Sequence, residues 1–394
     1  MNSSKPIAKT NNDNNKADYG FLTIITLLVG FGLVMVFSSS LYLTNNDPLF
    51  FLRNQAIRIG VGVIFFVIGL KVPYKFWSKI GGILIVVAMI ILTIVLFAGR
   101  TAGGATRWIK FLTFSLQPSE FVKIALLIYL SAFFAKREDM ERDFKHYTLP
   151  PLIISILVLL LIVLQPNLGT ATVLAMLMMF VMFIAAVRVR YLLLLAALGI
   201  GAFILFVNIF PHAHARVAGF LGNGHYQVEQ ARIALGSGGF WGTGLGGGRQ
   251  KFLFLPQPHT DFIFAVIGEE LGFLGIAGLT ILFCLFLYKG LAHARNNENA
   301  FARYLGSALV AMIFLYFVIH AGVSMGILPT TGLPLPFISF GGSALTSNLL
   351  GVGILLNISR SKENSYASDA RMRWNRRPYV PSVSARPGIH QSRI

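Results

Sequence analysis

Ten stretches of this chain are apolar over about the length a helix needs to cross a bilayer: approximately Tyr19 to Leu43, Leu52 to Leu70, Phe76 to Ala98, Phe114 to Phe134, Leu149 to Leu164, Thr170 to Val187, Tyr191 to Phe210, Phe262 to Tyr288, Leu305 to Met325 and Gly341 to Ile358. A helix rises about 1.5 Å per residue, so roughly 20 residues cover a hydrocarbon core about 30 Å thick. Inside that core every backbone N–H and C=O must be bonded internally, which a helix achieves alone. Composition agrees, since 55% of the 394 residues are hydrophobic, 12% are charged and mean hydropathy is +0.69. The pattern predicts an all-α polytopic membrane protein of ten transmembrane helices, with a large extracytoplasmic loop before helix 8 and a re-entrant segment before helix 10. The first stretch exceeds a signal-peptide core and lacks a small-residue cleavage pattern, so it is expected to remain as a span.

A formal charge of +18 invites a nucleic-acid reading. Membrane proteins, however, gather Lys and Arg on cytoplasmic loops. An even number of spans leaves both termini on one side, and the segments there hold most of the basic residues. They include Lys71, Lys75 and Lys79, then Lys136, Arg137, Arg142 and Lys145, then the tail beyond Arg360. Both termini are therefore expected in the cytoplasm, with no nucleic-acid partner. Residues 1–18 form a polar tail expected to be disordered, 19–360 the transmembrane domain, and 361–394 a basic disordered tail suited to anionic headgroups. The single cysteine, Cys284, excludes an intramolecular disulfide and a cysteine metal site.

Ionisable groups at membrane depth are costly unless paired or wetted, so each calls for a reason. Glu120 and Lys123 share a helix face at i, i+3, either as an internal lock or as a cavity-lining pair. Arg107 and Lys110 flank Trp108 against the charge trend, as a phosphate site or as part of an aromatic anchor. Glu269 and Glu270 are adjacent, point about 100° apart and cannot act as one dyad; at least one is expected to bond internally. Asp261 closes the loop of about 211–261, immediately before an apolar run and after the glycine-rich Gly236 to Gly248 with Arg249 and Lys251. It is either a helix cap or a reactive acid. Gly326 to Ser343 is apolar yet broken by three prolines, a pattern tolerated at depth where backbone is buried or lines a cavity.

Taken in order, these motifs resemble the SEDS family (shape, elongation, division and sporulation), polytopic bacterial glycosyltransferases. The resemblance runs from about Tyr19 to Arg360. It rests on Arg107-Trp108, Gln117-Pro118-Ser119-Glu120 with Lys123, Gln165-Pro166 with Leu168-Gly169-Thr170, His259-Thr260-Asp261-Phe262, Gly268-Glu269-Glu270 and Leu335-Pro336 through Ser339. Details around Arg249 to Lys251 and Leu328 to Gly332 are more similar to the division branch than to the elongation branch. Three positions depart: Asn167 replaces a family Asp, His320 a family Asn, and Arg53 is displaced by one from the base beside Gln55.

The resemblance implies polymerisation of lipid II into glycan strands at the bacterial inner membrane, for septal wall synthesis, with an elongation role or lipid II transport as alternatives. A scaffold without catalysis would need no acid at Asp261. As a catalytic carboxylate, Asp261 would take a proton from the attacking sugar hydroxyl. Substrate binding is expected from Arg107, Lys110, Gln117, Ser119, Glu120, Lys123, Arg249, Lys251, His259, Thr260 and Ser339. A divalent cation, Mg2+ or Mn2+, is a candidate for charge neutralisation, and no organic cofactor is expected. Implied partners are lipid II, undecaprenyl diphosphate-linked glycan, a class B penicillin-binding protein, other divisome membrane proteins and membrane lipids.

Overall fold

The computed structural model describes residues 19–42, 47–102, 105–111, 114–222, 226–252, 254–295 and 297–375. Apolar composition gives α1 (Tyr19–Ser40), α2 (Phe50–Lys71), α3 (Tyr74–Ala98), α4 (Ser119–Ala135), α5 (Leu149–Val163), α6 (Leu168–Ile184), α7 (Val189–Ile209), α10 (Ile263–Arg295), α11 (Ala300–Ser324) and α12 (Gly342–Asn375). A π-helical turn, Phe144–Thr148, leads into α5; Asp143 caps it by accepting from the backbone N–H of His146 and Tyr147. Among the described residues, eight helical stretches are long and apolar enough to cross a membrane. The helices α4 and α6, at 17 residues each, are shorter. Helix α11 is buried along most of its length, whereas α7 is exposed along most of its own and α2 is largely half-buried. The core therefore gathers around α11, with α4, α6, α10 and α12 against it.

The all-α expectation needs one correction. Residues before α4 form a three-stranded antiparallel sheet, β1 (Arg100–Ala102), β2 (Ala105–Phe111) and β3 (Phe114–Leu116), in the order β1-β2-β3. The span predicted from Phe114 thus starts at Ser119, because Pro118 disfavours helical backbone at Gln117 and the apolar residues ahead of it cannot join the first turn. At the other end of the chain, α12 continues to Asn375, beyond the expected domain end at Arg360. The predicted tail 1–18 and residues 376–394 lie outside the described residues.

The long loop contains two helices, α8 (Pro211–Leu221) and α9 (Tyr226–Ser237), followed by a glycine-rich strap that lies along the start of α10. The strap is held by backbone bonds: Thr243 N donates to Glu269 O at 3.0 Å, Gly244 N to Glu270 O at 2.9 Å, and Phe273 N to Gly239 O at 2.9 Å. A Cβ on Gly242 would stand 2.2 Å from Glu270 O, so a side chain there would forbid the approach. Gly272, at φ 64°, kinks α10 beneath the strap.

Between α11 and α12 the proline-rich segment is irregular and packed inside the protein. Leu333, Leu335, Phe337 and Ile338 are buried. Its backbone presses against α1 and α6, since a Cβ on Gly32 would lie 2.5 Å from Phe337 O and one on Gly169 2.8 Å from Thr331 O. Helix-breaking residues are tolerated because neighbouring helices and side chains take up the freed polar groups.

Candidate active site at the loop end of the bundle

Asp261 sits two residues before the first residue of α10, Ile263. Its neighbours are fixed by bonds between two segments. Ser339 Oγ donates to Thr260 O at 2.6 Å and accepts from Leu335 N at 2.8 Å, and Phe340 N donates to His259 O at 2.9 Å. The irregular segment therefore carries His259, Thr260 and Asp261 as a unit. Gly332 faces the acid, since a Cβ there would lie 3.6 Å from Asp261 Oδ2.

Burial pushes the Asp261 carboxyl above its ordinary value of 3.8, while the charge of Arg216 and a hydrogen bond from Thr260 pull it partway back. Arg216 comes from α8 and also opposes Arg107, whose pKa falls to about 10, mainly through burial. Arg107 bonds the carbonyls of Gln165, at 3.2 Å, and Pro166. Both arginines line one cavity of about 550 Å³ between α6, α7, α8 and residues 328–331. The rest of that lining is chiefly apolar, with Leu168, Val173 and Met176 of α6 facing Phe203 and Phe206 of α7. Such a space suits a molecule with a long apolar part and an anionic head, and Arg216 links it electrostatically to Asp261.

The sequence model of cell cycle proteins of the FtsW, RodA and SpoVE type matches residues 19–364. The chain belongs to this family. The stage V sporulation protein E of Bacillus subtilis (strain 168) is 36% identical over 352 residues, covering 86% of this chain and 96% of the relative. A probable peptidoglycan glycosyltransferase FtsW of Coxiella burnetii is also 36% identical, over 361 residues and 87% and 96% of the two chains. Among solved structures, a chain of a peptidoglycan synthase complex that coordinates polymerization and crosslinking superposes with TM-score 0.75 and 28% identity, covering 88% of this chain and 98% of that one. RodA of Thermus thermophilus gives 0.66 and 27%, covering 88% and 97%. The chain is an integral membrane protein with the RodA-like fold, as the motifs implied.

The structure groups only some of the residues that the SEDS motifs implicate. His259, Thr260, Asp261 and Ser339 stand together, and Arg107 joins them through Arg216. Lys110 pairs with Ser115 in the register of β2 and β3, its side chain lying outside the described residues. Gln117 N donates to Ser343 Oγ at 2.9 Å, and Ser119 Oγ lies 3.5 Å from Asn167 Nδ2. Glu120 and Lys123 pair at 2.7 Å in the core, the ammonium 4.0 Å from the Tyr316 ring centroid. Neither lines the cavity described above, which favours the internal lock over the cavity-lining alternative.

One of the two loop bases differs from expectation. Lys251 Nζ is buried against Glu270 Oε1 at 2.6 Å and Ser38 O at 3.1 Å, so it staples the strap to α10 and α1 instead of facing a ligand. Arg249 has an exposed side chain, while its backbone N–H donates to Glu269 Oε1 at 2.6 Å. Both glutamates thus bond internally. Arg216 belongs to no motif; its one signal in the sequence is a base on the side that charge patterning leaves poor in bases.

Among the described residues no three His, Cys, Asp or Glu side chains gather around one ion. Asp261 faces an arginine rather than a second acid. This donor set does not fit a resident divalent metal.

Proposed function

We propose that the chain is a peptidoglycan glycosyltransferase that polymerises lipid II at the outer face of the bacterial inner membrane. In this reading it has ten spans, α4 and α6 included, both termini are cytoplasmic, the strap and α8 are extracytoplasmic, and the segment before α12 is re-entrant. The observation that carries the reaction is a buried acid under the charge of Arg216, an arginine that lines a largely apolar cavity together with Arg107.

The polyprenyl tail of the donor lies between α6 and α7, and its diphosphate meets Arg107 and Arg216. The hydroxyl oxygen of the acceptor sugar forms a bond to C1 of the donor sugar, and the bond from C1 to the diphosphate oxygen breaks. Asp261 takes the hydroxyl proton; its desolvated carboxylate is a stronger base than one in water. The arginines stabilise the charge that gathers on the leaving diphosphate. Magnesium or manganese is proposed as a companion of the diphosphate rather than a resident of the protein, and no step depends on it.

The names of the relatives support the activity, and the similarity to FtsW and SpoVE supports a division-type role at the septum over elongation. The synthase complex supports a class B penicillin-binding protein as partner. Asp261→Asn keeps the shape but removes the base, so polymerisation of purified lipid II is expected to fall by about 10² to 10⁴, with membrane insertion unchanged. Strands of near wild-type length and yield on a gel would refute the general-base role.

A further inference from the structure

The irregular segment between α11 and α12 is held to the bundle at few points. Pro329 and Pro334 have no N–H to give, and among the described residues the backbone from one to the other makes a single hydrogen bond. It runs to His320, near the end of α11, whose ring Nδ1 lies 2.8 Å from Leu333 O. A carbonyl only accepts, so Nδ1 carries the hydrogen. On its other side the stretch is in contact without a bond, since Thr331 O rests where a Cβ on Gly169 of α6 would come within 2.8 Å. His320 therefore ties what shape alone would leave free to slide.

Packing alone does not account for an imidazole at this place. His320 is 1% exposed, and its Nε2 has no partner. A buried acceptor without a donor costs free energy, so a core selected only for stability would carry an apolar residue here. What the ring holds lies against the acid. Gly332, one residue before the bonded carbonyl and at φ 66°, comes so near Asp261 that a Cβ would stand 3.6 Å from Oδ2. Residues 328–331, just ahead of it, line the cavity of the two arginines, as does Ile319 beside the histidine. One tether thus bears on both the wall facing the acid and the wall of the cavity.

We propose that His320 is a positioning residue for the transfer: its Nδ1–H bond to Leu333 O fixes Gly332 against Asp261 and so keeps the carboxylate aimed at the acceptor hydroxyl. The inference rests on the glycosyltransferase reading. His320 acts through Gly332 and not on the reacting atoms. Proton transfer needs the two oxygens about 2.6–3.2 Å apart, and a misplacement of about 1 Å caused by a change far from the chemistry can cost about a hundredfold. Three helices meet at this one stretch of backbone: α6 by contact, α11 by the bond, and α10 through the acid that precedes it.

The test compares His320→Leu with His320→Asn in the full chain. The asparagine amide nitrogen is bonded to Cγ, as Nδ1 is, so it can reach the same carbonyl; leucine has no donor. With purified lipid II, kcat is expected to fall about 10- to 100-fold in His320→Leu and to stay within about twofold of wild type in His320→Asn. The melting temperature of the leucine protein should change little, because the substitution loses one bond but also removes the orphan nitrogen. Hydrogen exchange across residues 330–335 needs no turnover: it should be faster in the leucine protein and as slow as wild type in the asparagine protein. Should the leucine protein not fold, His320→Gln, whose amide sits one bond too far out, takes its place with the same loss expected. If exchange follows this pattern while wild type makes no polymer, the tether stands and the glycosyltransferase reading falls. Wild-type kcat or unchanged exchange in His320→Leu overturns the proposal. So does an asparagine protein as slow in turnover as the leucine one.

Discussion

At the scale of single residues, the site is set by how few charges share a dry space. Asp261 is raised by burial and held down by Arg216. Activity that needs the ionised acid is therefore expected to rise with pH through a value above 3.8, and Arg216→Gln, by removing the restraining charge, should move that acidic limb to higher pH. A kcat/KM profile for both proteins checks the direction; coincident acidic limbs would remove Arg216 from the site. The motif around Asp261 was legible because an acid beside an apolar run has few bland explanations. Arg216 was not, since a single arginine in a loop means little until folding brings α8 next to α10. The reverse holds for Lys251. A base after a glycine-rich stretch suggests a ligand, and only the packed structure supplies Glu270 as its buried counter-ion.

At the scale of elements, the glycines of the strap permit contact. The number of glycines from Gly236 to Gly248 suggests mobility when the sequence is read alone, but Gly242 is needed because Glu270 O occupies the place of a Cβ. Gly242→Ala should lower the melting temperature more than Gly246→Ala. Both have φ 81°, which costs about 1–3 kcal/mol for a non-glycine residue, but only Gly242 has a backbone atom in the way. Equal shifts in thermal denaturation would mean the strap is not pinned. Most helix positions were legible from apolar runs. The small sheet was not, because Phe114 to Leu116 continues an apolar run and the turn chemistry of Pro118 outweighs it.

At the scale of the whole molecule, a pinned strap changes where a partner can act. If a class B penicillin-binding protein activates the chain, the movable part is α8, which carries Arg216, rather than residues 238–250. Polymerisation is expected to be faster with the partner, and hydrogen exchange should slow in Pro211–Leu221 while the strap is already protected without it. Equal rates with and without the partner would rule out activation. The cavity beneath α8 has a further consequence. One of its walls is α7, a helix exposed along most of its length, and the facing wall is α6. A tail that slips between them never leaves the bilayer, so the search for substrate is two-dimensional. What the protein samples is carrier molecules per area of membrane, not per volume of fluid. Diluting vesicles with buffer should leave each molecule's supply untouched, whereas diluting the carrier with other lipids in the same membrane should starve it.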